Sequence, residues 1–128
     1  MRPLLSMLLV LLLILPLAQP VAASASTAPD IALTRSSAAL AAFQRGDLDG
    51  AETELRRLIK RYPLFADARA GLTALLWQRG ARGEAQSNWA AAIGLDSHYK
   101  DLDWLQQQSG WPPLPVDALG RFLAARST

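Results

Sequence analysis

The sequence predicts an all-α fold built from short helical hairpins, and three observations support this prediction. Helix-forming residues, alanine above all, dominate from Ile31 onward, and no stretch alternates apolar and polar residues for long. Glycines stand where several of the amphipathic segments end. The phrase Arg45–Pro63 returns in altered form as Arg79–Ser97, thirty-four residues further along the chain. These features together predict a unit of two helices that is written twice.

The chain begins with the pattern of a secretory signal peptide. A basic residue, Arg2, precedes an almost unbroken apolar run from Leu4 to Leu15, and a proline and small residues follow. Small-x-small patterns place the cut after Ala23 or Ala25, so residues 1–23 are predicted to be removed. The alternative is an uncleaved membrane anchor, although the run is shorter than the roughly 20 residues that a spanning helix needs.

Removal of the signal leaves 105 residues with 12 basic and 11 acidic side chains, a net charge of +1. That length suffices for one domain with one core. A nearly neutral chain offers no electrostatic footprint for nucleic acid, so none is expected as a partner. The chain has no cysteine, so an exported protein of this sequence must be held together by packing alone.

Six helices are predicted after a polar segment, residues 24–31, that is expected to be disordered. The predicted ranges are 32–44, 48–61, 64–79, 82–95, 99–108 and 116–125. Left-handed glycine stops end the first, third and fifth, at Gly46, Gly80 and Gly110. Pro63 ends the second, and residues 111–115 (WPPLP) read as a stiff connection before the sixth. Loops of about three residues within each pair of helices force antiparallel neighbours.

The repeated phrase matches at physically meaningful positions. The pairs are Ala39 and Thr73, Gly46 and Gly80, Ala51 and Ala85, Leu55 and Trp89, and Leu58 and Ala92. Small residues are needed where two helices cross, and the glycines close the first helix of each unit. With this period the chain resembles the tetratricopeptide repeat family over Ala32–Tyr99. The bulky aromatic that often opens the first helix is absent, because Arg35 and Arg69 stand there.

The resemblance implies a helical-hairpin solenoid over residues 32–126, with repeats at 32–65 and 66–99 and a helical cap at 100–126. Two repeats alone bury too little, so the cap should complete the core. We expect its packing residues to be Trp104, Leu105, Trp111, Leu119, Phe122 and Leu123. The tail is also similar to the ends of small exported tetratricopeptide proteins of cyanobacteria and chloroplasts, which implies a periplasm or thylakoid lumen as location.

No set of side chains in the sequence predicts catalysis, and no cofactor or metal is expected. His98 is the only histidine and is expected to lie at the surface or to cap a helix near Asp96. The stretch Asp47–Gly50 lacks the later ligands of a calcium loop. The pair Asp101 and Asp103 points to different faces of a helix. The sequence therefore predicts a protein that is not an enzyme.

A basic cluster surrounds the first unit: Arg45, Arg56, Arg57, Lys60 and Arg61. Pairing of Glu52 with Arg56, one helical turn apart, favours a solvated outer face. The alternative is attraction to an acidic partner or a membrane surface.

The family resemblance implies a concave groove that is lined by the first helix of each unit. Its positions here are Ser36, Leu40, Phe43 and Gln44, and Ala70, Ala74, Trp77 and Gln78. We predict that Leu40, Phe43, Gln44, Ala74, Trp77 and Gln78 bind a protein or peptide segment with large apolar anchors. The basic residues with which some relatives grip a chain end are missing. The alternative is that Phe43 and Trp77 belong to the core.

The functional expectation is a non-catalytic protein-binding module that acts as an assembly or scaffold factor outside the cytoplasm. The alternative is an N-terminally anchored, membrane-associated subunit that stabilises a photosynthetic membrane complex.

Overall fold

The computed structural model describes residues 27–127, and within that range every regular element is helical. The prediction of an all-α protein is therefore confirmed. The elements are α1 (Ala28–Gln44), α2 (Leu48–Arg61), α3 (Ala66–Gln78), α4 (Arg82–Leu95), a 3₁₀ turn (Ser97–Lys100), α5 (Leu102–Gln107) and α6 (Pro113–Arg126).

Helices α1 and α2 form one hairpin and α3 and α4 a second, with the same turn in both. Gly46 and Gly80 have φ values of +87° and +83°, as predicted for left-handed stops. The N–H of Asp47 donates to the carbonyl of Ala42, and that of Ala81 to the carbonyl of Leu76. These bonds close the last turn of α1 and of α3, and they turn the chain back within three residues.

Small residues let the helices approach closely. Ala51 and Ala85 are both 0 % exposed at the crossings, as their positions in the repeated phrase predict. Between the hairpins, a Cβ atom at Gly71 would lie 3.2 Å from a methyl group of Leu40 and 3.3 Å from one of Leu55. Glycine at this point therefore brings α3 against both helices of the first hairpin.

The first helix begins four residues before the predicted start, so the prediction of disorder was wrong for residues 28–31. The hydroxyl of Thr27 accepts the N–H of Asp30, and the carboxylate of Asp30 accepts the N–H of Thr27. This reciprocal capping, together with Pro29 in the first turn, stabilises the start of the helix. Residues 24–26 and the predicted signal, 1–23, lie outside the described residues.

Three later boundaries also differ from the prediction. Helix α3 starts at Ala66 because Pro63 and Leu64 form a turn. The predicted helix at 99–108 is divided into a 3₁₀ turn and α5, because Asp101 caps a new start with its carboxylate on the N–H groups of Asp103 and Trp104. Residues 113–115 are not a connection but the first turn of α6, where a proline loses no helical hydrogen bond.

The tail was predicted to close one end of the second hairpin. In the structure it also contacts the first hairpin. Helix α6 returns along the molecule and packs on α3 and on α1. Its buried residues are Pro115, Val116, Ala118, Leu119 and Phe122. In the described range, no helix is both long enough and apolar enough to cross a bilayer.

Candidate functional site

The candidate site is the surface between α1 and α3, called here the α1–α3 groove, and α6 lies in it. Along α6 the residues Val116, Leu119 and Phe122 recur every three positions and are all buried. This spacing places them on one face of the helix, which is turned toward the groove. The groove therefore holds a helix in its apolar centre, and that helix belongs to the same chain.

Phe122 is the aromatic anchor of α6. Its ring meets Trp77 of α3 edge to face at a centroid distance of 5.5 Å, and Trp89 of α4 at 5.7 Å. The guanidinium of Arg82 stacks on Trp77, 4.8 Å from the ring centre. Aromatic pairs of this geometry contribute about 0.5–1.5 kcal/mol each beyond the area that they bury.

Two glutamines at equivalent places in the two hairpins bind α6, one at its first turn and one in its second half. The backbone N–H of Leu114, in the first turn of α6, donates to Oε1 of Gln44 at 2.8 Å. Nη2 of Arg121 donates to Oε1 of Gln78 at 2.7 Å. The first bond satisfies one of the N–H groups that a helix start leaves without an internal partner. These contacts fix the position of α6 along the groove.

The predicted groove residues are thus together in space, but most of them are covered. Leu40, Phe43 and Ala74 are 1 %, 3 % and 0 % exposed. Trp77 and Gln44 are partly buried, and Gln78 is exposed. This burial agrees with the alternative in which Phe43 and Trp77 are core residues. Their role in binding a partner remains a prediction, because Phe43 is buried and Trp77 is partly covered by Phe122 of α6.

A buried carboxylate, Asp67 of α3, joins α1, the 3₁₀ turn and the segment before α6, and it was not predicted from the sequence. It is 3 % exposed and accepts hydrogen bonds from the hydroxyl of Ser36, the hydroxyl of Tyr99 (2.9 Å) and Nε1 of Trp111 (2.9 Å). Burial, and next the charge of Asp67, raise the pKa of the Tyr99 phenol. A single acid within the apolar run of α3 was the signal that could have revealed this site.

The outer face of the hairpins carries ion pairs that neutralise two of the five members of the basic cluster, Arg56 and Arg57. Arg56 bonds Glu52 at 3.0 Å, as predicted, and it also makes a two-pronged pair with Glu84 of the second hairpin. The hydrogen bonds with Glu84 and then Glu52 raise the pKa of Arg56, and those with Arg56 lower the pKa of Glu84. Arg57 pairs with Glu54. Arg56 and Arg57 therefore belong to a solvated, paired face, as the sequence favours.

Comparisons with protein-family models, with curated proteins and with solved structures return no match.

The remaining candidates from the sequence have local roles. The carboxylate of Asp47 accepts the N–H of Gly50 and so starts α2. Nδ1 of His98 lies 2.7 Å from Oδ1 of Asp96, and the ring stacks on Trp104. The hydrogen bond from the backbone N–H of His98, and next that of its ring, lower the pKa of Asp96. Among residues 27–127, no group of three or more His, Cys, Asp or Glu side chains is placed to hold a metal ion.

Proposed function

We propose that the protein is an exported, non-catalytic protein-binding module of the tetratricopeptide type, an assembly or scaffold factor outside the cytoplasm. Two helical hairpins with identical glycine turns and fully buried alanines at Ala51 and Ala85 support the repeat assignment. The spacing of thirty-four residues between equivalent positions supports it further.

A single observation supports the binding role: equivalent residues of both units contact one helix. Phe43 and Trp77 occupy the same place in the two units, as do Gln44 and Gln78. A groove that offers apolar contacts and two hydrogen-bond acceptors, one from each unit, suits an amphipathic helix. The partner is accordingly a protein segment with large apolar anchors that takes the place of α6.

Competition with α6 sets the strength of such binding. The apparent dissociation constant of a partner equals its intrinsic value divided by the fraction of molecules whose groove is open. Because α6 buries Leu119 and Phe122 completely, that fraction is small in the free protein. Capture should therefore be weak unless α6 is loosened.

The test is capture from extracts of the cells that make the protein, with full-length chains as bait. Phe122→Ala loosens α6 and should increase capture, whereas the double variant with Trp77→Ala should lose the gain. A synthetic peptide of residues 113–126 should compete with the partner, and Arg45→Gln, outside the groove, should change nothing. Capture that ignores both the peptide and Trp77→Ala, in chains that circular dichroism shows to be folded, would contradict the groove as binding site.

A second candidate is a membrane-associated subunit that keeps its N-terminal apolar run as an anchor and stabilises a photosynthetic complex. The end of the molecule where α1 begins favours it, since Leu64 and Leu95 are 79 % and 40 % exposed there. Lys60 and Arg61 lie in the last turn of α2 at the same end. Apolar and basic side chains together suit an anionic lipid surface.

Two measurements distinguish this second candidate from the first. N-terminal sequencing of the mature protein shows whether the apolar run from Leu4 to Leu15 is retained. The retained form should float with anionic vesicles. The vesicles should protect the end of the molecule that carries Leu64 from protease, and Leu64→Asp should weaken this protection. Leu114→Asp, an exposed leucine at the start of α6, is the matched control. A mature chain that begins after Ala23 would remove the support for an anchor.

A further inference from the structure

A cleft of about 320 Å³ opens between α2, α3 and α4 on the outer side of the molecule, away from the α1–α3 groove. Lys60 of α2, Arg69 of α3 and Asn88 of α4 line it, and Ile59 and Leu72 supply apolar walls. The two hairpins contribute jointly to this cleft, and the proposed binding of a helix in the α1–α3 groove does not involve it.

Arg69 is the unusual residue of the cleft, because it is partly buried and has no acidic partner in the described part of the chain. Its Nε donates to the carbonyl of Pro63 at 3.3 Å, and its Nη1 to Oδ1 of Asn88 at 3.4 Å. Both acceptors are neutral, and both distances exceed the usual 2.7–3.2 Å of such bonds. Of the five N–H donors of a guanidinium, most are left for another acceptor.

The neighbouring groups hold Arg69 in place and leave the cleft positive. Nδ2 of Asn88 donates to the backbone carbonyl of Glu84 at 3.0 Å, which turns Oδ1 toward Arg69. Arg56 and Glu84 also line the cleft, and they neutralise each other through their two-pronged pair. Lys60 forms no ion pair with any acid between residues 27 and 127. The charges of Lys60 and Arg69 therefore remain uncompensated.

We propose that this cleft binds a carboxylate that is attached to an apolar group, such as the C-terminal or acidic residue of a peptide. The guanidinium of Arg69 presents a planar fork that matches a carboxylate, and Lys60 adds a second charge. Ile59 and Leu72 give the apolar group a surface to contact. The site is independent of the α1–α3 groove, so it does not require α6 to move.

The probe is N-acetyl-leucine, which carries a carboxylate and an apolar side chain. We expect it to shift the NMR resonances of the Arg69 side chain, the Asn88 amide and the Ile59 methyl groups. N-acetyl-leucinamide, which lacks the charge, should bind at least about tenfold more weakly, since a hydrogen bond to a charged group is lost. Inorganic phosphate distinguishes a general anion site from one that also uses the apolar walls.

Three substitutions test whether N-acetyl-leucine binds in this cleft. Arg69→Gln should weaken binding of N-acetyl-leucine about tenfold or more, and Lys60→Gln, at an exposed position, should weaken it less and reduce its salt dependence. Arg45→Gln removes an exposed cation outside the cleft and should leave the affinity unchanged. Equal losses in all three variants, shifts that lie outside the cleft, or tighter binding of phosphate than of N-acetyl-leucine would each overturn the proposal.

Discussion

Gln44 and Gln78 stand at the same position of two consecutive hairpins, and both accept a hydrogen bond from α6. Gln44 receives the backbone N–H of Leu114, and Gln78 receives the side chain of Arg121. A repeated unit has thus placed one acceptor at the first turn of the helix and one at its second half. This relationship is the reason to regard the surface between α1 and α3 as a helix-binding groove that its own chain occupies.

The crossing alanines should not tolerate a larger side chain. Ala51→Leu or Ala85→Leu inserts three carbon atoms at a point that is 0 % exposed, and we expect a loss of about 1–3 kcal/mol in the free energy of unfolding. Ala90→Leu, at an exposed position of α4, is the control and should change stability little. Urea denaturation measures all three, and equal midpoints would show that the helices cross elsewhere.

The anchor of α6 should dominate the stability of the tail. Phe122→Ala leaves a cavity between Trp77 and Trp89. We expect it to lower the free energy of unfolding by about 3–5 kcal/mol. Leu114→Ala, where the side chain is 47 % exposed, should cost much less. The fluorescence of the indole rings reports the unfolding. A Phe122→Ala chain as stable as the Leu114→Ala chain would contradict the packing of α6 in the groove.

The contribution of the hydrogen bond to Asp67 can be measured apart from that of aromatic packing, because only one of two buried tryptophans makes a hydrogen bond. Nε1 of Trp111 donates to Asp67, whereas Nε1 of Trp89 has no hydrogen-bond partner in the described structure. Both Trp→Phe changes remove similar volume. Trp111→Phe should therefore lower the free energy of unfolding by about 1.5–3 kcal/mol more than Trp89→Phe does, because Trp111 loses a hydrogen bond to a carboxylate. If Trp89→Phe is the more damaging change, the Asp67 bond is not a major contribution.

The phenol of Tyr99 makes stability depend on alkaline pH. Burial raises its pKa above the ordinary value of about 10, so the folded state holds the proton more tightly than the unfolded state does. This contribution is complete below the unfolded pKa, and it is lost as pH rises past that value toward the folded pKa. In a Tyr62→Phe chain, phenolate absorbance should appear only as the helical circular dichroism disappears. Phenolate formation near pH 10 in a fully helical protein would disagree.

Periodic features of the fold were accessible from the sequence. The turns at Gly46 and Gly80 and the crossings at Ala51 and Ala85 follow from a pattern that is written twice, and each is set by contacts close in sequence. Helix α4 was predicted with the bounds that the structure has, because Ala81 follows a glycine stop and Asp96 ends an apolar stripe. Local rules sufficed for these elements.

The position of α6 was not accessible in the same way. Nothing in the stretch from Trp111 to Pro115 states whether the following helix stacks on the end of the second hairpin or turns back over the groove. That choice depends on contacts distant in sequence, such as Phe122 with Trp77 and Trp111 with Asp67. For the same reason the covering of the predicted groove residues by α6 was missed.

Nuclear Overhauser effects in the full-length protein test directly whether α6 lies in the α1–α3 groove. We expect cross-peaks between the ring protons of Trp77 and Phe122, and between the amide proton of Leu114 and the side chain of Gln44. Amide exchange through α6 should be slow, at the rate of α3. Absence of these cross-peaks, with fast exchange confined to residues 113–126, would instead show that the groove is open.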